Sequence, residues 1–116
     1  MCAEKAEALS LKLDFRQSNF EGELIGWLHE ARGKIDGVII NAAGLTHTSV
    51  ALMDTLMLMD CPVIEVHLSN IHKREAFRHV SYISKAATGS IAGFGPQSYL
   101  LALDALAGIL ATDKKD

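Results

Sequence analysis

Two cysteines, two prolines, two tyrosines and one tryptophan are all that this 116-residue chain has of those residue types. Each scarcity excludes something. Cys2 and Cys61 have no Cys-x-x-Cys partner and no ligand-spaced Cys or His. Neither a disulfide framework nor a thiolate metal site is therefore expected, and the thiols read as reduced, in a cytoplasmic setting. No window is apolar for the length of a membrane span. Met1-Cys2-Ala3-Glu4-Lys5 sets acid beside base with no apolar core, which is not the pattern of a signal peptide. Long runs of one charge are also absent. The 11 Lys and Arg stand against 14 Asp and Glu, a formal net charge of −3, and the basic residues are dispersed. A nucleic-acid surface needs a basic excess, so no nucleic-acid partner is expected. Lys114-Lys115, set between Asp113 and Asp116, reads as a fraying end.

What is present is an ordinary globular composition, 49% hydrophobic and 22% charged, at a length that suits one domain spanning 1–116. Glu4 to Ser10 reads as the last turns of a helix that has no beginning. Leu11 to Arg16 alternates apolar and polar residues, the period of a half-exposed strand. Ser18 and Glu21 have the spacing of a capping box, opening a helix with Phe20, Leu24, Ile25 and Leu28 on one face and Gly33 as its stop. Gly37 to Ala42 and Val63 to Val66 are short, nearly continuous apolar runs, as expected of strands buried on both faces. Ser49 caps a helix from Val50 to Met59, ended by Asp60-Cys61-Pro62. A short helix is expected near Glu75 to His79. Thr88 to Gly93 reads as a strand weakened by glycine, and Gly95-Pro96 opens a final helix with Tyr99, Leu100, Leu103, Leu106, Ala107 and Leu110 as its buried stripe. Strands alternating with helices at this length predict a three-layer, doubly wound α/β domain on a parallel sheet.

The chemically able residues cluster where two of these strands end. One apolar run leads into Asn41-Ala42-Ala43-Gly44-Leu45-Thr46-His47, the other into His67-Leu68-Ser69-Asn70. Ligands of open parallel α/β sheets bind at that carboxyl edge, so the two runs point to one site. His67 is suited to proton transfer near neutrality, or it is a half-buried histidine bonded to backbone. Leu68, Ser69 and Asn70 could offer N–H groups and a hydroxyl to an anion, or simply cap the next helix. Asn41 could orient a substrate hydroxyl or form an Asx turn. His47 could bind substrate or lie in solvent. Arg78 could grip hydroxyls or carboxylates, or be a surface cation. Glu65, His67, His72 and His79 lack compact metal-ligand spacing. Gly89-x3-Gly93-x-Gly95 is not a nucleotide-binding fingerprint, there is no Gly-x-Ser-x-Gly elbow, and no acidic pair reads as a glycosidase dyad.

Four segments in order carry a resemblance: Gln17-Ser18-Asn19-x-Glu21-Gly22-Glu23-Leu24-Ile25; Ile40-Asn41-Ala42-Ala43-Gly44-Leu45-Thr46-His47-Thr48-Ser49-Val50-Ala51-Leu52; Glu65-Val66-His67-Leu68-Ser69-Asn70-Ile71-His72-x-Arg74-Glu75-x-Phe77-Arg78; and Gly93-Phe94-Gly95-x-Gln97-x-Tyr99. Together they resemble type II 3-dehydroquinate dehydratase, over nearly all of Leu11 to Leu110. The resemblance implies a flavodoxin-like fold, a small-molecule substrate, no cofactor or metal, and a homo-oligomer, usually a dodecamer built from trimers. It implies that His67 is the general acid for a departing hydroxyl and that Asn41 orients that hydroxyl. Leu68 and Ser69 would bind the substrate carboxylate, and His47 and Arg78 the distal hydroxyls. Asp54 would be lent across a subunit interface, next to Met53 where arginine is common in the family.

The same resemblance implies a first strand and a tyrosine-bearing lid, whose tyrosine is the base. This sequence begins past that point, so the expectation is a fold without its first strand and a site that keeps its acid and lacks that base. A binding or scaffold paralogue without activity is the rival expectation. A receiver-type signalling domain fits poorly, since Asn41 and His67 stand where its acidic cluster would be.

Overall fold

The computed structural model describes residues 1–115. Its elements are helix α1 (Cys2–Ala8), α2 (Glu21–Ala31), strand β1 (Val38–Ile40), α3 (Val50–Met57), β2 (Val63–His67), β3 (Gly89–Ala92) and α4 (Gln97–Lys115). Single 3-10 turns occupy Ala43–His47, Ile71–Lys73, Ala76–His79 and Ile83–Lys85. The three strands form a parallel sheet in the order β1-β2-β3.

β2 is the central strand, and all five of its residues are buried. Its alternation sorts them to the two faces. Val63 joins Ile40, Leu52, Leu56 and Ile83 in a core packed by Leu24, Ile25 and Leu28 of α2. Ile64 and Val66 meet Ala102 and Leu106 of α4 on the opposite face, together with Ile39 and Ile91. The expected three layers are thus present, with helices on both faces of a parallel sheet. Gly37 lets α4 approach: a Cβ there would stand 2.6 Å from the Leu106 side chain. Ser49 caps α3 as expected, its hydroxyl accepting from the Leu52 N–H at 2.9 Å. β3 forms despite Gly89. α4 extends through Lys115, into residues expected to fray, and Asp116 lies outside the described residues.

Three expectations need correction. Leu11 to Arg16 is not a strand. Alternation specifies which side chains share a face, but a strand also needs a neighbour to exchange backbone hydrogen bonds, and none flanks this segment among the described residues. Leu13 and Phe15 are left exposed, and Arg16 pairs with Asp14 and lies over the Trp27 ring. The Ser18–Glu21 capping box is also absent. Ser18 accepts from the Phe20 N–H at 3.0 Å in a local turn, so Phe20 becomes the N-cap and projects into solvent. The expected helix near Glu75 to His79 is a single 3-10 turn.

The first helix is closed by its own backbone. Ser10 adopts a left-handed conformation with φ of 60°. The Ser10 N–H bonds the Glu7 carbonyl at 3.0 Å and the Leu11 N–H bonds the Ala6 carbonyl at 2.8 Å. This pair of bonds is a Schellman motif with serine where glycine is usual. Cys2 and Cys61 are unpaired. Burial, then Asp36 and Asp60, push the Cys61 thiol above its ordinary pKa, which disfavours a reactive thiolate. Among the described residues no helix is long and apolar enough to cross a membrane.

Candidate active site

The carboxyl ends of β1 and β2 open onto a cleft of about 210 Å³. Asn41, His47, His67, Leu68, Ser69 and Arg78 all line it, and Arg74 adds a second cation. Six of the seven residues singled out from the sequence are therefore brought together. The seventh, Asp54, does not line the cleft and is exposed on α3.

Each side of the cleft is held by identifiable bonds. Asn41 leaves β1 with its carbonyl oxygen accepting from the Ala43 N–H at 3.1 Å, an Asx turn, and its amide donating to the Tyr99 hydroxyl at 3.0 Å. The turn reading of Asn41 holds, and the residue also lines the cleft. The tight turn puts Ala43 at φ 50°, backbone strain of about 1 kcal/mol at the lip of the cleft. His47 bonds through Nδ1 to the Val80 carbonyl at 2.8 Å. A carbonyl can only accept, so Nδ1 carries the proton and Nε2 remains for a ligand. The His47 and His67 rings are stacked with centroids 6.5 Å apart. Asn70 caps the next 3-10 turn by accepting from the His72 N–H, as its capping reading requires. Gly93 and Gly95 N–H groups bond the His67 and Leu68 carbonyls, tying this loop to the end of β3. Arg78 donates from Nε to Glu75 at 2.8 Å and lies over the Phe77 ring.

His67 is only 5% exposed, and its Nε2 stands 2.6 Å from Oε2 of Glu65, itself 1% exposed. The sequence reading placed Glu65 only among unconvincing metal ligands. The structure makes it the partner of His67. The two share one face of β2 because they are two residues apart. Burial pushes the Glu65 carboxyl up, but hydrogen bonds from His67, Ser81 and Ser84 outweigh it and hold the carboxyl below its ordinary pKa. An ionised carboxylate only accepts, so Nε2 of His67 carries a proton and Nδ1 is left for proton exchange. A carboxylate set against imidazole in this way fixes the orientation of the ring and its tautomer. The signal was present in the sequence: one acid inside an apolar strand, two residues before a histidine. Arg74, four residues before Arg78, was missed as well.

A family model described as dehydroquinase class II matches residues 1–107. The chain belongs to that family. Among individual dehydroquinases, 3-dehydroquinate dehydratase 2 of Pseudomonas aeruginosa is 56% identical over 103 residues, covering 89% of this chain and 70% of the relative. The 3-dehydroquinate dehydratase of Dinoroseobacter shibae is 55% identical over 106 residues, covering 91% and 71%. The crystal structure of type II dehydroquinase from Propionibacterium acnes superposes with a TM-score of 0.88 at 42% identity, over 92% of this chain and 79% of that one. The fold expected from the sequence is thereby the fold of solved dehydroquinases.

Proposed function

We propose that this dehydroquinase chain is built to dehydrate 3-dehydroquinate to 3-dehydroshikimate, a hydro-lyase reaction of the shikimate and quinate pathways. The observation that carries the reading is the buried Glu65–His67 pair, facing a cleft that also gathers Asn41, His47, Ser69 and Arg78. Loss of water needs one group to remove the C2 proton and another to protonate the hydroxyl leaving C1. In an anti elimination these act from opposite faces, through an enolate. His67, as imidazolium, gives its Nδ1 proton to the departing hydroxyl, which leaves as water. Asn41 orients that hydroxyl through its amide. The Leu68 and Ser69 N–H groups and the Ser69 hydroxyl receive the substrate carboxylate, while His47 Nε2 and the Arg78 guanidinium hold the distal hydroxyls.

The family resemblance implies a lid tyrosine as the base. Tyr82 and Tyr99 both lie outside the cleft lining, and the Tyr99 hydroxyl is engaged by Asn41. The same resemblance supports a trimer-based dodecamer in the cytoplasm. The exposure of Asp54 on α3, beside the exposed apolar Val50 and Met57 of that helix, supports the role that the resemblance gives it at a subunit interface.

The test is turnover of 3-dehydroquinate, followed by the absorbance of the conjugated product, for the 116-residue chain alone and with a relative's N-terminal strand and lid joined to it. Activity in the joined form that His67→Ala removes supports the reading. Full activity of the joined His67→Ala protein would sink it. Activity of the chain alone would move the base to a group already in it or in a neighbouring subunit. Light scattering reads the oligomer directly.

A further inference from the structure

Two serines that line no part of the cleft meet the same carboxylate that orients His67. Ser81 donates to Glu65 Oε2 at 2.6 Å, and Ser84 donates to Oε1. The Ser84 backbone N–H in turn bonds the Ser81 oxygen at 3.0 Å, so the serine pair is itself braced. Their segment is pinned to the molecule at several points. Ile83, between them, is fully buried in the α2–α3 side of the core. The Tyr82 N–H bonds the Thr46 carbonyl at 2.9 Å, and the Val80 carbonyl receives His47 Nδ1.

We infer that Ser81 and Ser84 are positioning residues. Their hydroxyls saturate the buried Glu65 carboxylate so that it stays ionised and keeps the proton of His67 on Nε2, leaving Nδ1 to face the chemistry. The physical requirement is plain. A carboxylate removed from water must recover its lost hydration from fixed donors, or it takes up a proton. A protonated Glu65 could turn its own O–H toward the ring, erasing the tautomer preference. One bond from His67 leaves most of the carboxylate's acceptor sites empty; the two serines fill one further site on each oxygen. The direction of the Glu65 shift agrees, since both serines contribute to lowering it. The other charged or titratable groups around the pair are His47, stacked on His67, and Arg74 and Arg78 of the cleft wall. The lowering of the Glu65 carboxyl comes from His67 and the two serines, so the serines share that support with His67. This role rests on the reading of His67 as the general acid.

The test follows the Glu65 carboxyl carbon by NMR in protein labelled at glutamate, with Glu65→Gln identifying the resonance. In the parent chain the carboxyl is expected to remain ionised from neutral pH down through the ordinary carboxylate range. Ser81→Ala and Ser84→Ala should each move its midpoint up, the double variant more. Ser84→Thr, which keeps the hydroxyl at an exposed residue, should restore it. Where the joined form is active, the double Ala variant should lose about tenfold in kcat with KM within about twofold, and the acid limb of its pH profile should move to higher pH. A Glu65 midpoint unmoved in folded Ala variants, or a parent protein with protonated Glu65 at neutral pH, overturns the inference. If the double variant does not fold, the parent titration and the Ser81→Ala and Ser84→Thr proteins still decide it. The expected titrations beside a joined form without any turnover would support the serine role while sinking the assigned reaction.

Discussion

The cleft has two walls of opposite character. One is the end of β2, where Glu65 and His67 are almost wholly buried and every bond is made inside the protein. The other is the turn around Arg74, Glu75 and Arg78, where Glu75 is exposed and sits 2.8 Å from Arg78 Nε and 3.9 Å from Arg74 Nε. Both carboxyls are held below their ordinary pKa, by different means. Glu65 is first pushed up by burial and then brought below by three donors. Glu75 is lowered chiefly by its own backbone N–H; desolvation opposes this, and Arg78 and then Arg74 lower it further. The same direction of shift therefore has different consequences. At Glu65, removing one partner strands polar groups away from water. At Glu75, water replaces whatever is lost.

The largest effects should come from breaking the buried wall. His67→Ala in an active form should lower kcat by about 10² to 10⁴, the usual span of a general acid, with a smaller change in KM. Glu65→Gln should follow, because it keeps the shape and removes the charge. A glutamine oxygen can still accept from His67 and Ser81, and its NH2 can donate to a Ser84 hydroxyl turned to accept, but the charge-assisted bonds to an ionised carboxylate are lost. That should cost about 1–3 kcal/mol of stability, read as a lower urea midpoint, as well as activity. Acid should do the same reversibly. The folded-state pKa of Glu65 lies below its unfolded value, so its contribution is fully present above the ordinary carboxylate range and is lost as pH falls through the lowered folded value. Urea midpoints measured at falling pH should show the parent losing stability across that window and Glu65→Gln losing less. Parallel curves for the two proteins would show that Glu65 is not held as described.

The two walls also differ in how far the sequence disclosed them. His67 and Asn41 were legible because strands buried on both faces read as continuous apolar runs, and the polar residues that end such runs fall at the sheet's ligand edge. The parallel sheet and the Ser49 cap were legible for similarly local reasons. Glu65 was half legible, as an acid inside such a run. Its serine partners lie 16 and 19 residues further on, in a segment with no periodic pattern, and only the packing of Ile83 brings them back. The failed strand at Leu11 to Arg16 has the same origin, since alternation is local and a neighbouring strand is not. Ser10 hid the end of α1 because the left-handed position carries serine in place of glycine. Asp54 lies outside the cleft of the single chain, and no local pattern in the sequence could have told where it would fall.

The exposed wall offers the smaller and more discriminating changes. Arg78→Lys keeps the charge but loses the planar fork that can hold two oxygens at once. It should raise KM about tenfold, about 1.4 kcal/mol in binding, while leaving kcat nearly unchanged. Glu75→Gln should do least. It removes an acceptor from Arg78 in a place where water can substitute, so the urea midpoint should be unchanged and KM should move by less than about twofold. If Glu75→Gln instead lowers kcat or stability as Glu65→Gln does, the exposed turn is organising the cleft as firmly as the buried strand, and burial is not what separates the two walls. If it lowers KM, Glu75 is competing with substrate for the Arg78 guanidinium, and that ion pair holds the arginine back until the substrate's own oxygens displace it.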